Sequence, residues 1–213
     1  MKKSEFIYQV YVLLDANSPK TITFLDRREP FQFLISVILS AQTTDQTVNQ
    51  VVPALFARYP DAVSLASADY EEVCNLIRRT GFYRNKAKNI IACSKALAGG
   101  RIPDTIEELV KLPGVGRKTA NCVVGDIYQG SAVIVDTHVK RVLKRLGFTS
   151  SSDPDRIEAQ VRASLAEEYL YRFSMIVNLH GRLICHARKP DCAHCPLARL
   201  CPSKDVVGQE GAR

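Results

Sequence analysis

Apolar residues recur at a helical period along almost the whole chain. In FQFLISVILS, Phe31, Leu34, Ile35, Ile38 and Leu39 fall at i, i+3, i+4, i+7 and i+8, the spacing of one helix face. DQTVNQVVPALFARY repeats the pattern with Val48, Val51, Val52, Leu55 and Phe56, and Pro53 inside it is expected to bend or restart the helix. ADYEEVCNLIRRTG opens with acids, closes with Arg78 and Arg79 and stops at Gly81, as helix-end electrostatics and glycine capping favour. RNKAKNIIACSKALAGG, TIEELVKL, RKTANCVVGDIY, DTHVKRVLKRLG, DPDRIEAQVRASLAEE and YRFSMIVNLHGRLIC continue the series. Thr105 and Glu108 stand at capping-box spacing before the second of these. The one strand-like run is SAVIVD. A single strand builds no sheet, so the pattern predicts an all-α fold. The tail SKDVVGQEGAR reads as frayed.

Charge adds a partner class to this outline. Lys and Arg number 29 against 22 Asp and Glu, a net charge of +7. The excess suits an anionic partner such as nucleic acid. It is concentrated: Arg78, Arg79, Arg84, Lys86, Lys88, Lys95 and Arg101 follow one another with no acid among them, and HVKRVLKRLG adds four more cations. No run approaches the roughly twenty apolar residues of a membrane span, and Glu5, Gln9 and Asp15 interrupt any signal-like core. A cytoplasmic location is expected, with reduced cysteines.

The stretch LPGVGRKTA, Leu112 to Ala120, imitates the end of a phosphate-binding P-loop. The spacing fails, because Arg117 separates Gly116 from Lys118 and a helix rather than a strand precedes the glycines. Helix, Pro-Gly-x-Gly turn and second helix form a different device. Gly114 and Gly116 permit positive φ, and Gly114, Val115 and Gly116 leave backbone N–H groups uncovered beside a helix start. Such a turn holds an anion, and on a basic protein a DNA phosphate is expected, held without reading sequence. Read from residues alone, Lys118 is a phosphate contact or a nucleophile.

Four of the seven cysteines crowd into CHARKPDCAHCPLARLC: Cys185, Cys192, Cys195 and Cys201. Four thiols within so short a loop point to a metal centre. Structural zinc commonly takes two Cys-x2-Cys knuckles, and only one is present. The wider arms suit an iron–sulfur cubane, and Pro202 follows the last cysteine as in ferredoxin-type runs. Arg188 and Lys189 inside the loop face DNA or offset cluster charge.

LSAQTTD (39–45), GFYRNKA (81–87), LPGVGRKTA (112–120), VDTHVKR (135–141), LHGR (179–182) and the cysteine spacing, in that order, resemble the endonuclease III family of DNA glycosylases. The resemblance implies a six-helix domain with a helix–hairpin–helix over residues 22–133. A discontinuous helical domain, 1–21 with 134–213, would carry a [4Fe-4S] cluster. It implies a monomeric glycosylase and abasic-site lyase that removes oxidised pyrimidines from double-stranded DNA. By the same likeness Lys118 is the nucleophile and Asp136 the catalytic carboxylate. Gln42 fills the space of the flipped nucleotide, and Phe82 wedges into the opposite strand where many relatives carry leucine. Asp45 and His138 are candidates for the base pocket, and each could as easily pack or cap. Asp136 also precedes THVKRVLKRL as a ready N-cap. Two alternatives stand beside this reading: an adenine-specific mismatch glycosylase, against which Lys118 and the chain end at Arg213 argue, and a non-catalytic DNA-binding module.

Overall fold

The structure, a computed structural model, describes residues 2–26 and 29–204, so most of the tail expected to fray lies outside the described residues. Among the described residues are eleven α-helices and no strand. They are α1 (Lys3–Ala16), α2 (Pro30–Leu39), α3 (Asp45–Arg58), α4 (Ala62–Ala66), α5 (Tyr70–Leu76), α6 (Tyr83–Leu97), α7 (Ile106–Leu109), α8 (Arg117–Ile127), α9 (Thr137–Arg145), α10 (Pro154–Arg162) and α11 (Glu167–Leu183). A 3-10 turn, Arg78–Thr80, links α5 to α6. No helix is long and apolar enough to cross a membrane.

The chain forms two compact units. One is Thr23–Tyr128; the other joins Met1–Ile22 to Gln129–Arg213. Ile22 and residues 129–133, expected in the middle domain, go with the discontinuous unit. Val133 belongs there to the buried cluster that includes Val135, Val139 and Phe173.

The middle unit holds α2 to α8, with α4 and α7 only about a turn long. Every residue of α2 from Phe33 to Leu39 is buried. α2 packs on α3, α6 and α8, and α4 packs on α6. Side-chain caps set the starts of α3 to α5. Thr44 accepts from the Thr47 N–H at 3.2 Å, Asp61 from that of Ser64 at 2.8 Å and Asp69 from that of Glu72 at 2.8 Å. Each is worth about 1 kcal/mol. Pro53 does not restart its helix: α3 runs through it to Arg58. The lost backbone bond costs about 3 kcal/mol. Val51, Val52, Leu55 and Phe56 are buried around it, at about 1.5–3 kcal/mol each, so packing wins.

In the discontinuous unit α9 and α11 pack together and α1 lies on α11, around Ile7, Val10, Leu14, Val142, Leu143, Ile157, Phe173 and Ile176. Gly181 permits the α9–α11 approach: a Cβ there would lie 2.9 Å from the His138 Cβ. SAVIVD is an extended buried segment rather than a strand. Its Ile134 N–H donates to the Ser174 hydroxyl on α11 at 3.0 Å. A continuous apolar run reports burial on both sides, not the presence of a pairing strand.

Candidate active site and cluster loop

The glycine turn sits between α7 and α8. Gly114 has φ +77, and a Cβ on it would meet the Asn89 Cβ on α6 at 2.8 Å, so both conformation and space require glycine. Gly116 departs from expectation. Its φ is −89, an ordinary value, and it is the N-cap of α8. A Cβ at Gly116 would meet nothing within 4 Å. The absence of a side chain there keeps the outer surface of the turn low instead of permitting a special conformation. Val115 is buried and anchors the turn, its N–H donating to the Leu112 carbonyl at 3.1 Å. No side chain caps α8, so its first N–H groups are presented to an incoming anion. Lys118, the second residue of α8, is exposed on that first turn.

Two other turns of the middle unit carry Gln42 and Phe82. Both residues are left-handed, φ +53 and +47, and both are exposed, Phe82 by 69%. Phe82 is also the N-cap of α6. Asp45 is the first residue of α3, half-buried. The basic run does not form one solvated face: Lys86 is buried inside it, and burial pulls its ammonium down to about 8. Helical phase explains this, since Lys86 shares a face with the buried Ile90 and Cys93.

In the discontinuous unit Asp136 is the N-cap of α9. One carboxylate oxygen accepts from the Val139 N–H at 2.8 Å, and the other accepts from the Asn178 amide at 2.7 Å. Arg182, one turn on along α11, donates to the Asn178 carbonyl oxygen at 2.7 Å. A guanidinium only donates, so it fixes the amide orientation and aims the Asn178 NH2 at Asp136. Sequence reasoning missed Asn178. The signal was an amide inside the apolar run SMIVNLHG, with Arg182 four residues later.

His138 and Arg141 on α9 face the end of α11. Arg141 donates to the Gly181 carbonyl at 2.7 Å and the Cys185 carbonyl at 3.0 Å, and lies 3.2 Å from His138 Nδ1. Arg145 donates to the carbonyls of His186 at 2.6 Å and Ala187 at 3.0 Å, and to the Cys185 sulfur at 3.3 Å. The two arginines of α9 thus tie down the start of the cysteine loop.

All four loop cysteines line one cavity, with Val142, Leu146, Ile184 and Leu197 among its apolar walls. Among the described residues no three His, Cys, Asp or Glu side chains converge as a single metal ion would require. His180 is buried, which pulls its imidazole down to about 4 and keeps it neutral. Its Nε2 lies 3.7 Å from the Cys195 sulfur. Burial, then the neighbouring cysteines, push the Cys195 thiol up; burial does the same to Cys201. Arg188 and Lys189 are exposed in the loop, Lys189 with φ +51.

Two helices joined by the Pro-Gly-x-Gly turn, α7 and α8, in an all-helical fold define a helix–hairpin–helix class of protein. Residues 35–167 match the family model described as HhH-GPD superfamily base excision DNA repair protein. Endonuclease III of Synechocystis is 47% identical over 94% of each chain. That of Escherichia coli is 34% identical over 93% of this chain and 96% of its own. A non-covalent endonuclease III–DNA complex superposes with a TM-score of 0.91 at 38% identity, covering 97% of this chain and 98% of that one. A trapped endonuclease III–DNA covalent intermediate superposes equally well. The chain belongs to the HhH-GPD superfamily and, within it, to the endonuclease III family.

Proposed function

We propose that this protein is a base-excision DNA glycosylase and abasic-site lyase that removes oxidised pyrimidines from double-stranded DNA in the cytoplasm. The observation that carries this reading is Lys118, an exposed amine on the first turn of a helix that no side chain caps and whose N-cap, Gly116, faces open space. The similar chain trapped covalently on DNA supports the covalent step.

A base inside a duplex cannot be reached, so the damaged nucleotide is flipped out. The backbone N–H groups of 114–116 hold a phosphate near it. Phe82 wedges the opposite strand, and Gln42 fills the vacated space. Lys118 Nζ, as the neutral amine, attacks the sugar C1′; the C1′–N bond breaks and its electron pair leaves with the base, which takes up a proton. Ring opening yields an imine to Lys118. Loss of a C2′ proton then expels the 3′ phosphate, which nicks the strand, and water releases the lysine. The Asp136 carboxylate, held by the Val139 N–H and Asn178, stabilises positive charge developing on the sugar. Asp45 and His138 are each assigned a contact to the flipped base in this reading.

The four cysteines fit a [4Fe-4S] cluster. All four line one cavity, its walls are largely apolar, and Arg145 places positive charge on Cys185. Bound there, the cluster would cross-link the loop and contribute folding free energy. Arg188 and Lys189 in that loop then contact DNA phosphates.

Incubation with a duplex bearing one thymine glycol tests the reading. Base release with a strand nick ending in an unsaturated 3′ aldehyde is expected. Base release without a nick would instead indicate a mismatch-type glycosylase, and intact DNA a binding module.

A further inference from the structure

Lys86 is 6% exposed and has no carboxylate among its hydrogen-bond partners. Its ammonium donates to the Leu39 carbonyl at 2.9 Å, the Thr43 hydroxyl at 2.7 Å and the Thr80 carbonyl at 2.7 Å. All three protons of the group are used. The Thr43 hydroxyl in turn donates to the Thr80 carbonyl. One buried cation therefore joins the end of α2, the turn after it, and the 3-10 turn before α6.

Those turns carry Gln42, next to Thr43, and Phe82, two residues after Thr80. Each is a non-glycine residue in the left-handed region, at a cost of about 1–2 kcal/mol. Such conformations persist where the surroundings over-determine them. Lys86 and Thr43 supply that constraint from beneath both turns. A buried charge held by neutral acceptors is a costly route to stability alone, where an apolar side chain serves as well or better.

We propose that Lys86 is a positioning residue for base flipping: its three hydrogen bonds hold the Gln42 and Phe82 turns in the inserting conformation before DNA arrives. The proposal rests on the glycosylase reading above. Lys86 touches no DNA in this role and acts only through the two turns.

The test uses Lys86→Met, of similar length but without donors, and Thr43→Val, which removes only the middle link and protects the test if the first variant folds poorly. Single-turnover excision is measured on two duplexes, one with the lesion paired and one with it opposite a gap, where no stacked partner strand resists extrusion. On the paired lesion both variants should slow by about tenfold or more. On the gapped lesion they should stay within about threefold of wild type, with affinity for undamaged duplex unchanged on the same scale. In a Phe82→Ala background Lys86→Met should add less than its full loss, because only the Gln42 turn is left for it to hold. Equal losses on both duplexes, no loss on either, or full additivity with Phe82→Ala would overturn the proposal. Wild-type protein inert on both duplexes would overturn the glycosylase reading itself.

Discussion

Replacing Asn178 with leucine removes the side chain that holds the free oxygen of Asp136, with little change in volume. Asn178 is 6% exposed and makes two bonds of 2.7 Å, one to Asp136 and one from Arg182. The bond to the carboxylate is charge-assisted and worth about 1.5–3 kcal/mol. The Val139 bond keeps Asp136 as the helix cap, so the substitution frees one oxygen without releasing the residue. If the whole bond acts on the transition state, the chemical step slows by about ten- to a hundredfold, since 1.36 kcal/mol is tenfold in rate. The assay is single-turnover base release from a thymine glycol duplex, with affinity measured separately on undamaged duplex. The turnover rate should fall while affinity holds. In an Asp136→Asn background the same substitution should add less than about threefold, because the partner carboxylate is already gone. Full additivity in that background would show that Asn178 serves the fold alone.

Other outcomes follow from the same geometry. Gly114→Ala should destabilise by at least about 1–2 kcal/mol from the left-handed backbone alone, read as a lower urea midpoint. Gly116→Ala should leave that midpoint unchanged and weaken DNA binding, because the new methyl fills only the outer opening; a matched loss of stability would contradict this. Burial draws Lys86 from its ordinary value of 10.5 to about 8. Between those values the unfolded chain binds more protons than the folded one, so this residue's contribution to stability rises with pH across that window. Below pH 8 its burial cost is carried in full. The stability difference between wild type and Lys86→Met should therefore shift in favour of wild type from pH 7 to pH 9.5, and a flat difference would exclude it. Protein purified without oxygen should absorb near 400 nm and lose stability when the iron is removed; a colourless protein with one zinc would overturn the cluster.

Local motifs reached the sequence most directly. The hairpin and the start of α8 follow from Leu112 to Ala120, and the capping role of Asp136 from its place before THVKR. What stayed hidden depends on neighbours distant in the chain. Gly116 reads like Gly114 in sequence, yet only Gly114 has a left-handed φ and faces Asn89. Lys86 reads as one cation in a basic run, and only helical phase against Ile90 and Cys93 reveals its burial. Asn178 meets Asp136 across 42 positions, a separation that no local pattern spans. SAVIVD has strand chemistry without a strand partner, because α9 and α11 bury it instead. The glycine of LHGR looks like a functional signature and is explained by packing, since His138 leaves no room for a Cβ.

The central claim is that Lys118 forms a covalent bond to the sugar. Borohydride reduction of the protein mixed with abasic-site duplex, followed by peptide mapping of the adduct, tests it directly. One adduct is expected, on Lys118, absent from a Lys118→Gln variant that still binds the duplex with affinity within about threefold of wild type. No adduct with the wild-type protein, or one that survives in Lys118→Gln, would contradict it.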